Sequence, residues 1–61
     1  MKYRVEFIEK SKVVISKEFQ EYDEAYNYSN ELIKKLDKHS EIIVLEKKNN
    51  DWKVFRKLNV Q

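Results

Sequence analysis

Carboxylates are the side chains of this sequence that are most able to do chemistry, and two sets of them have a suggestive spacing. Asp23 directly precedes Glu24, and Glu41 and Glu46 flank a short apolar run. Either set could serve as a general acid and base or as oxygen ligands for Mg²⁺. Acids at the start of a helix are explained by the helix dipole, and acids at the ends of a strand keep it soluble. These carboxylates therefore predict no catalytic or metal site.

Nucleophilic catalysis has little support in this composition. Serine is present, but a serine nucleophile needs a histidine and a carboxylate, and His39 is the single histidine of the chain. His39 follows a predicted helix in a charged connection, where a solvated side chain is the simplest interpretation. Cysteine and glycine are absent, which excludes thiolate sites, disulfides and glycine loops for phosphate. We therefore expect no enzyme activity, no cofactor, no metal and no small-molecule substrate.

The charge of the chain changes sign along its length. Residues 1–20 hold five Lys or Arg against three Glu, and residues 42–61 hold five against two acids. Residues 21–41 hold three Lys against six acids. Basic segments that carry aromatic residues are typical of proteins that bind single-stranded nucleic acid.

The most specific basic and aromatic pattern lies in the last apolar segment. Lys53, Phe55 and Lys57 share one parity of a predicted strand, so that Phe55 could stack on a base between two phosphate-binding cations. Arg4 is a further candidate contact on the sheet. The same pattern also describes an ordinary protein contact, and glutamates predicted on that face would repel phosphate. Nucleic-acid binding is therefore the alternative function.

The elements that position these residues follow from hydrophobic periodicity. Residues 3–8 and 13–19 alternate as half-buried strands, joined by a short polar turn. Residues 22–36 carry an apolar stripe with helical spacing, acidic at its start and basic at its end. Leu32 and Ile33 of this stripe are expected to lie between helix and sheet. Residues 41–46 and 52–58 are strand-like and are joined by Asn-Asn, which tolerates the left-handed backbone of a hairpin turn.

This order of elements predicts an α+β fold. We expect a two-layer ββαββ domain over residues 1–61, with one helix packed on a four-stranded antiparallel sheet. A right-handed crossover through the helix allows strand three to lie beside strand one, in the sheet order 2-1-3-4. The small residues Ala25 and Ser29 lie one turn apart in the helical stripe, which predicts a close approach of the helix to the sheet there.

One helix covers only one side of a four-stranded sheet, yet residues 42–45 are apolar at both parities. One residue of each neighbouring pair must therefore point away from the helix. An exposed apolar cluster of this kind commonly marks an interaction site. The predicted protein interface consists of Ile8, Val14, Ile42, Val44 and Phe55. Residues of the opposite parity, among them Val13, Trp52 and Val54, are expected to face the helix.

The remaining expectations concern the setting of the protein. The longest apolar run is far shorter than the roughly 20 residues that span a bilayer, so we expect a cytoplasmic protein without a membrane partner. Eleven Lys against two Arg is the bias of AT-rich genomes and favours a low-GC bacterium or its phage. The predicted function is an accessory domain that regulates or inhibits a host protein, or pairs with a second copy as a homodimer.

Overall fold

The chain folds as two hairpins separated by a helix. The computed structural model describes residues 2–60. Its elements in chain order are β1 (Lys2–Glu9), β2 (Lys12–Phe19), α1 (Tyr22–Leu32), a 3-10 turn (Ile33–Lys35), β3 (Ser40–Lys48) and β4 (Asp51–Asn59). The strands are somewhat longer than their apolar cores predict, because polar residues at both ends continue the hydrogen-bonded ladders.

The four strands form one antiparallel sheet in the order β2-β1-β3-β4. This confirms the predicted ββαββ arrangement and the predicted strand order. The two central strands pair with Val5 opposite Val44 and Phe7 opposite Ile42. This register places the inward residues of β1 and β3 side by side beneath the helix.

Both hairpins turn through two residues with positive φ. Lys10 and Ser11 have φ of 52° and 67°, and Asn49 and Asn50 have φ of 50° and 68°. Two successive left-handed residues form the hairpin turn whose twist matches that of the flanking strands. Glycine usually occupies such positions because a Cβ atom is unfavourable there. The chain, which has no glycine, uses Lys, Ser and Asn instead.

Each edge strand contains a β-bulge that was not visible in the sequence. Val14 is the extra residue of β2, opposite the step from Phe7 to Ile8. Phe55 is the extra residue of β4, opposite the step from Val44 to Leu45. A bulge inserts one residue, so that strict alternation between the two sides of the sheet fails across it. Residues on the N-terminal side of each bulge therefore lie on the face opposite to the predicted one, whereas those on its C-terminal side keep the predicted face.

The core lies between α1 and the two central strands. Ala25 and Ser29 are fully buried on the helix, as the predicted close approach requires. The buried hydrophobic residues are Tyr3, Val5, Phe7, Ala25, Leu32, Ile42 and Val44. Tyr28 and Phe19 close the β2 side of this core, with ring centroids 5.4 Å apart.

The helix is shorter than its apolar stripe. The α-helix ends at Leu32, and a 3-10 turn follows before Leu36 packs against the core. Leu32 is 3% exposed, whereas Ile33 is 38% exposed, so the placement of Ile33 between helix and sheet was wrong. Ile33 is the first residue of the 3-10 turn, and Tyr26, seven residues earlier and on the same side of the helix, is exposed to the same extent. Within residues 2–60, neither this helix nor any other has the length and hydropathy that spanning a membrane requires.

Candidate binding surfaces

The side of the sheet that faces away from α1 is called the open face here. Two residues predicted to lie on it, Ile42 and Val44, are fully buried in the core instead. That part of the predicted interface was wrong, because pairing with Val5 and Phe7 turns Ile42 and Val44 toward the helix. Their neighbours Ile43 and Leu45 take the outward positions.

The β-bulges explain why other residues lie on a different face of the sheet from the one predicted. Phe55 lies on the helix side, where its ring contacts Tyr3 and Tyr22 at centroid distances of 5.8 and 5.4 Å. Its predicted place on the open face was therefore wrong. Trp52 and Val54, which were expected beside the helix, lie on the open face instead.

The same correction applies to the first hairpin. Val13 was expected to face the helix, but it pairs with Ile8 and shares the outward side of that residue. Val14, a predicted interface residue, is the bulged residue itself and is exposed. Of the predicted interface residues, Ile8 is the one whose outward direction the register supports.

Apolar residues form a diagonal band across the open face. The register puts Ile8 and Val13 at one corner, Ile43 next, Leu45 beside Val54 after that, and Trp52 at the opposite corner. Val54 is 54% exposed, and the rest of the band except Val13 is half-buried. The apolar band is defined as Ile8, Val13, Ile43, Leu45, Trp52 and Val54.

Ion pairs occupy the two corners that the apolar band leaves free. Arg4 contacts Glu18 at 3.2 Å and Glu6 at 3.8 Å, and Lys2 reaches Glu18 at 3.4 Å. At the other corner Lys57 pairs with Glu41 at 3.5 Å. Each glutamate of the open face thus has a cation beside it, and Lys47, which lies over the Trp52 ring, is the cation of this face that no ion pair among residues 2–60 compensates.

Two ionisable groups respond to their surroundings. Hydrogen bonds from Arg4 and Lys2 hold the pKa of Glu18 below its ordinary value. The pKa of Tyr3 is raised, first by burial of the phenol and then by its hydrogen bond to Glu46, which spans 3.3 Å. Both shifts reflect structural contacts between neighbouring strands rather than a reactive site.

No protein-family model, no curated protein and no solved structure matches this chain. Function must therefore be argued from the surfaces alone.

The residues proposed for nucleic-acid binding do not come together. Arg4 and Lys57 lie on the open face, each paired with a glutamate. Lys53 pairs opposite Glu46 and Phe55 contacts Tyr22, both on the helix side. Phe55 therefore cannot stack a base between Lys53 and Lys57 on a single surface, because the bulge at Phe55 separates Lys57 from the other two residues.

The Ser40 hydroxyl and the His39 backbone make hydrogen bonds within the loop that leads into β3. The Ser40 hydroxyl donates a hydrogen bond to the Asp37 carbonyl, and it accepts one from the Asp37 backbone N–H. The His39 backbone N–H donates to the Asp37 carboxylate. A shallow cavity of about 310 Å³ lies beside this loop, and Lys10, Lys38 and His39 line part of it. Within residues 2–60, no three His, Asp or Glu side chains are grouped to hold a metal ion.

A second surface lies where the first turns of α1 meet β4. The Arg56 guanidinium stacks 4.2 Å from the ring centroid of Tyr26, and Tyr26 stacks on Tyr22 at 5.8 Å. Phe55 continues the row beside Tyr22. The aromatic and arginine cluster, defined as Tyr22, Tyr26, Phe55 and Arg56, was missed in the sequence because the bulge brings Phe55 and Arg56 to the same side.

Proposed function

We propose that this protein is a non-catalytic, self-associating domain in which two copies pack together through their open faces. The apolar band is the observation that carries this proposal. It gathers aliphatic residues and a tryptophan on the one side of the sheet that α1 leaves uncovered. Contiguous apolar surface of this kind is characteristic of interaction sites.

The ion pairs on the open face favour a second copy of the chain as the partner that binds there. Lys2, Arg4 and Lys57 have carboxylates within 4 Å inside the same chain. A face on which most charges are compensated internally meets its own copy with little like-charge repulsion, and Lys47 is the exception. A site for a foreign partner commonly shows an uncompensated charge that steers the partner in.

The geometry suits a two-fold dimer. A two-fold axis parallel to the sheets can bring the band of one copy onto the band of the other, with the sheets about 10 Å apart. Four strands at about 4.8 Å and eight residues at about 3.3 Å give a footprint of about 500 Å². A stable interface usually buries about 800 Å² per partner, so we expect a dissociation constant in the micromolar range.

Light scattering at increasing protein concentration tests this proposal. The wild-type chain should approach twice its 7.5 kDa mass at high micromolar concentration. Val54→Lys and Ile43→Lys should each give a monomer, because a buried, unpaired ammonium group opposes face-to-face packing. Val54 is largely exposed, so Val54→Lys leaves the core intact.

Asn27→Lys provides the matched control, because Asn27 is exposed on α1 in the opposite layer and the charge added is the same. This variant should remain a dimer. Trp52, the single tryptophan, gives a second measurement, since its emission should shift to the red on dilution of the wild type. A monomeric wild type would contradict self-association, and a dimer in both lysine variants of the band would exclude the open face.

A further inference from the structure

We propose that the aromatic and arginine cluster is a second binding site, which takes an Asp or Glu side chain presented by a segment of a partner protein. Its carboxylate would bind the Arg56 guanidinium, and the residues flanking it would lie on Tyr22 and Phe55. This site is in the helical layer and does not depend on the open face.

Arg56 is held in one orientation by neutral groups. Its Nη1 atom donates to the Ser29 hydroxyl at 2.7 Å and to the Asn30 side-chain oxygen at 3.1 Å. The ring of Tyr26 supports the guanidinium from one side. Ser29 is fully buried and donates in turn to the Tyr26 carbonyl at 2.7 Å. The guanidinium is therefore positioned before any ligand arrives, which reduces the entropy cost of binding.

The two bonds from Nη1 leave the other edge of the guanidinium open. Among residues 2–60, the Nε and Nη2 atoms of Arg56 make no hydrogen bond or ion pair. These two N–H groups form the fork that donates to both oxygens of a carboxylate. Arg56 is half-buried, so part of this side chain remains accessible.

Arg4 provides a comparison within the same protein, because its guanidinium is paired with carboxylates. Its guanidinium has carboxylate partners in Glu6 and Glu18 and also lies on an aromatic ring. Arg56 has the ring and neutral acceptors but lacks the carboxylate. The missing partner is the chemical group that we assign to the ligand.

The aromatic neighbours suit a peptide. Tyr22 is 44% exposed, Tyr26 37% and Phe55 39%, although the Tyr22 ring contacts the rings of both Tyr26 and Phe55. Exposed tyrosine and arginine together are the composition of interface hot spots. Asp23 and Glu24 in the first turn of α1 oppose a phosphate dianion more strongly than a single carboxylate. This charge favours an acidic protein segment over a nucleic acid.

Nuclear magnetic resonance titration with two short peptides tests this site. The probe is the acetylated and amidated peptide Ala-Leu-Asp-Leu-Ala, and its control carries Asn in place of Asp. The Asp peptide should shift the Arg56 Nε–H signal and should bind about five-fold more tightly than the Asn peptide, the upper end of what a solvent-accessible ion pair contributes. Equal affinity for the two peptides would overturn the proposal.

Substitutions distinguish a loss of peptide binding from a loss of folding. Arg56→Lys keeps the charge without the fork and should lose the preference for Asp, while Tyr22→Ala should weaken both peptides. Arg4→Gln, on the opposite face, should bind like the wild type. Because Arg56→Gln also loses contacts to Ser29 and Asn30, Arg56→Lys is the primary variant, with its amide spectrum as the check on folding.

Competing ligands complete the test. Inorganic phosphate or a single-stranded oligonucleotide that shifts the same signals at lower concentration than the Asp peptide would overturn the choice of a carboxylate. An Arg56→Lys variant that still prefers the Asp peptide would overturn the role of the guanidinium fork. The result is independent of self-association, since Val54→Lys should bind the Asp peptide unchanged.

Discussion

The Arg4 guanidinium lies 4.3 Å from the ring centroid of Trp52, although Arg4 belongs to β1 and Trp52 to β4, with β3 between them. The same guanidinium contacts Glu18 of β2. One side chain thus reaches residues of both edge strands on the open face. It covers one end of the apolar band and neutralises the carboxylates beside it.

A double-mutant cycle should detect the contact between Arg4 and Trp52. Combining Arg4→Ala with Trp52→Ala should reveal a coupling of about 0.5 to 1 kcal/mol in the free energy of unfolding, the usual contribution of a cation–π pair at an accessible site. Urea denaturation of the Val54→Lys chain measures it without interference from dimerisation. The control pair is Lys57 with Trp52, for which we expect almost no coupling. An equal coupling in both pairs would contradict a direct contact.

The contrast between Leu32 and Ile33 gives a prediction on the core. Leu32→Ala should lower the free energy of unfolding by about 2 to 5 kcal/mol, because it leaves a cavity between α1 and the sheet. Ile33→Ala should cost less than about 1 kcal/mol, because Ile33 is 38% exposed beyond the end of α1. Chemical denaturation of both variants makes the comparison. A larger loss for Ile33→Ala would contradict the exposed position of this side chain.

The lowered pKa of Glu18 predicts an acid-dependent loss of stability. The ionised form is favoured in the folded state, so its contribution is fully present above the ordinary pKa of 4.5. That contribution is lost as the pH falls through the lower pKa of the folded state. Glu18→Gln should therefore lose less stability than the wild type below pH 4.5. Glu31→Gln, at an exposed position of α1, is the control and should follow the wild-type curve in thermal unfolding.

The hairpin turns predict a stabilising substitution. Ser11 has a φ of 67°, which is unfavourable for any residue with a Cβ atom. Ser11→Gly should raise the free energy of unfolding by about 0.5 to 1 kcal/mol, the relief of the left-handed backbone less the added entropy of glycine. The same change at Ser16, an extended residue of β2, should lower it by a similar amount. A loss of stability at Ser11 would contradict the left-handed turn.

The sequence was sufficient for the order of elements and for the sheet topology. Tyr3, Val5 and Phe7 alternate without interruption, and their strand carries no bulged residue of its own, so their burial was predicted correctly. The helical stripe and the polar turns have the periods and residue types that local backbone geometry requires. A right-handed crossover then leaves few ways to arrange four strands, and the order 2-1-3-4 follows.

Tertiary structure alone decided which residues lie on the open face. Residues 42–45 are apolar at both parities, so only pairing with Val5 and Phe7 could direct Ile42 and Val44 inward. The bulges at Val14 and Phe55 carry no glycine or other local signal, yet each changes the parity of its strand. A side chain's face depends on its partner across the ladder, and that partner comes from a distant part of the chain. Local periodicity therefore determined the elements, while long-range register determined the surfaces they present.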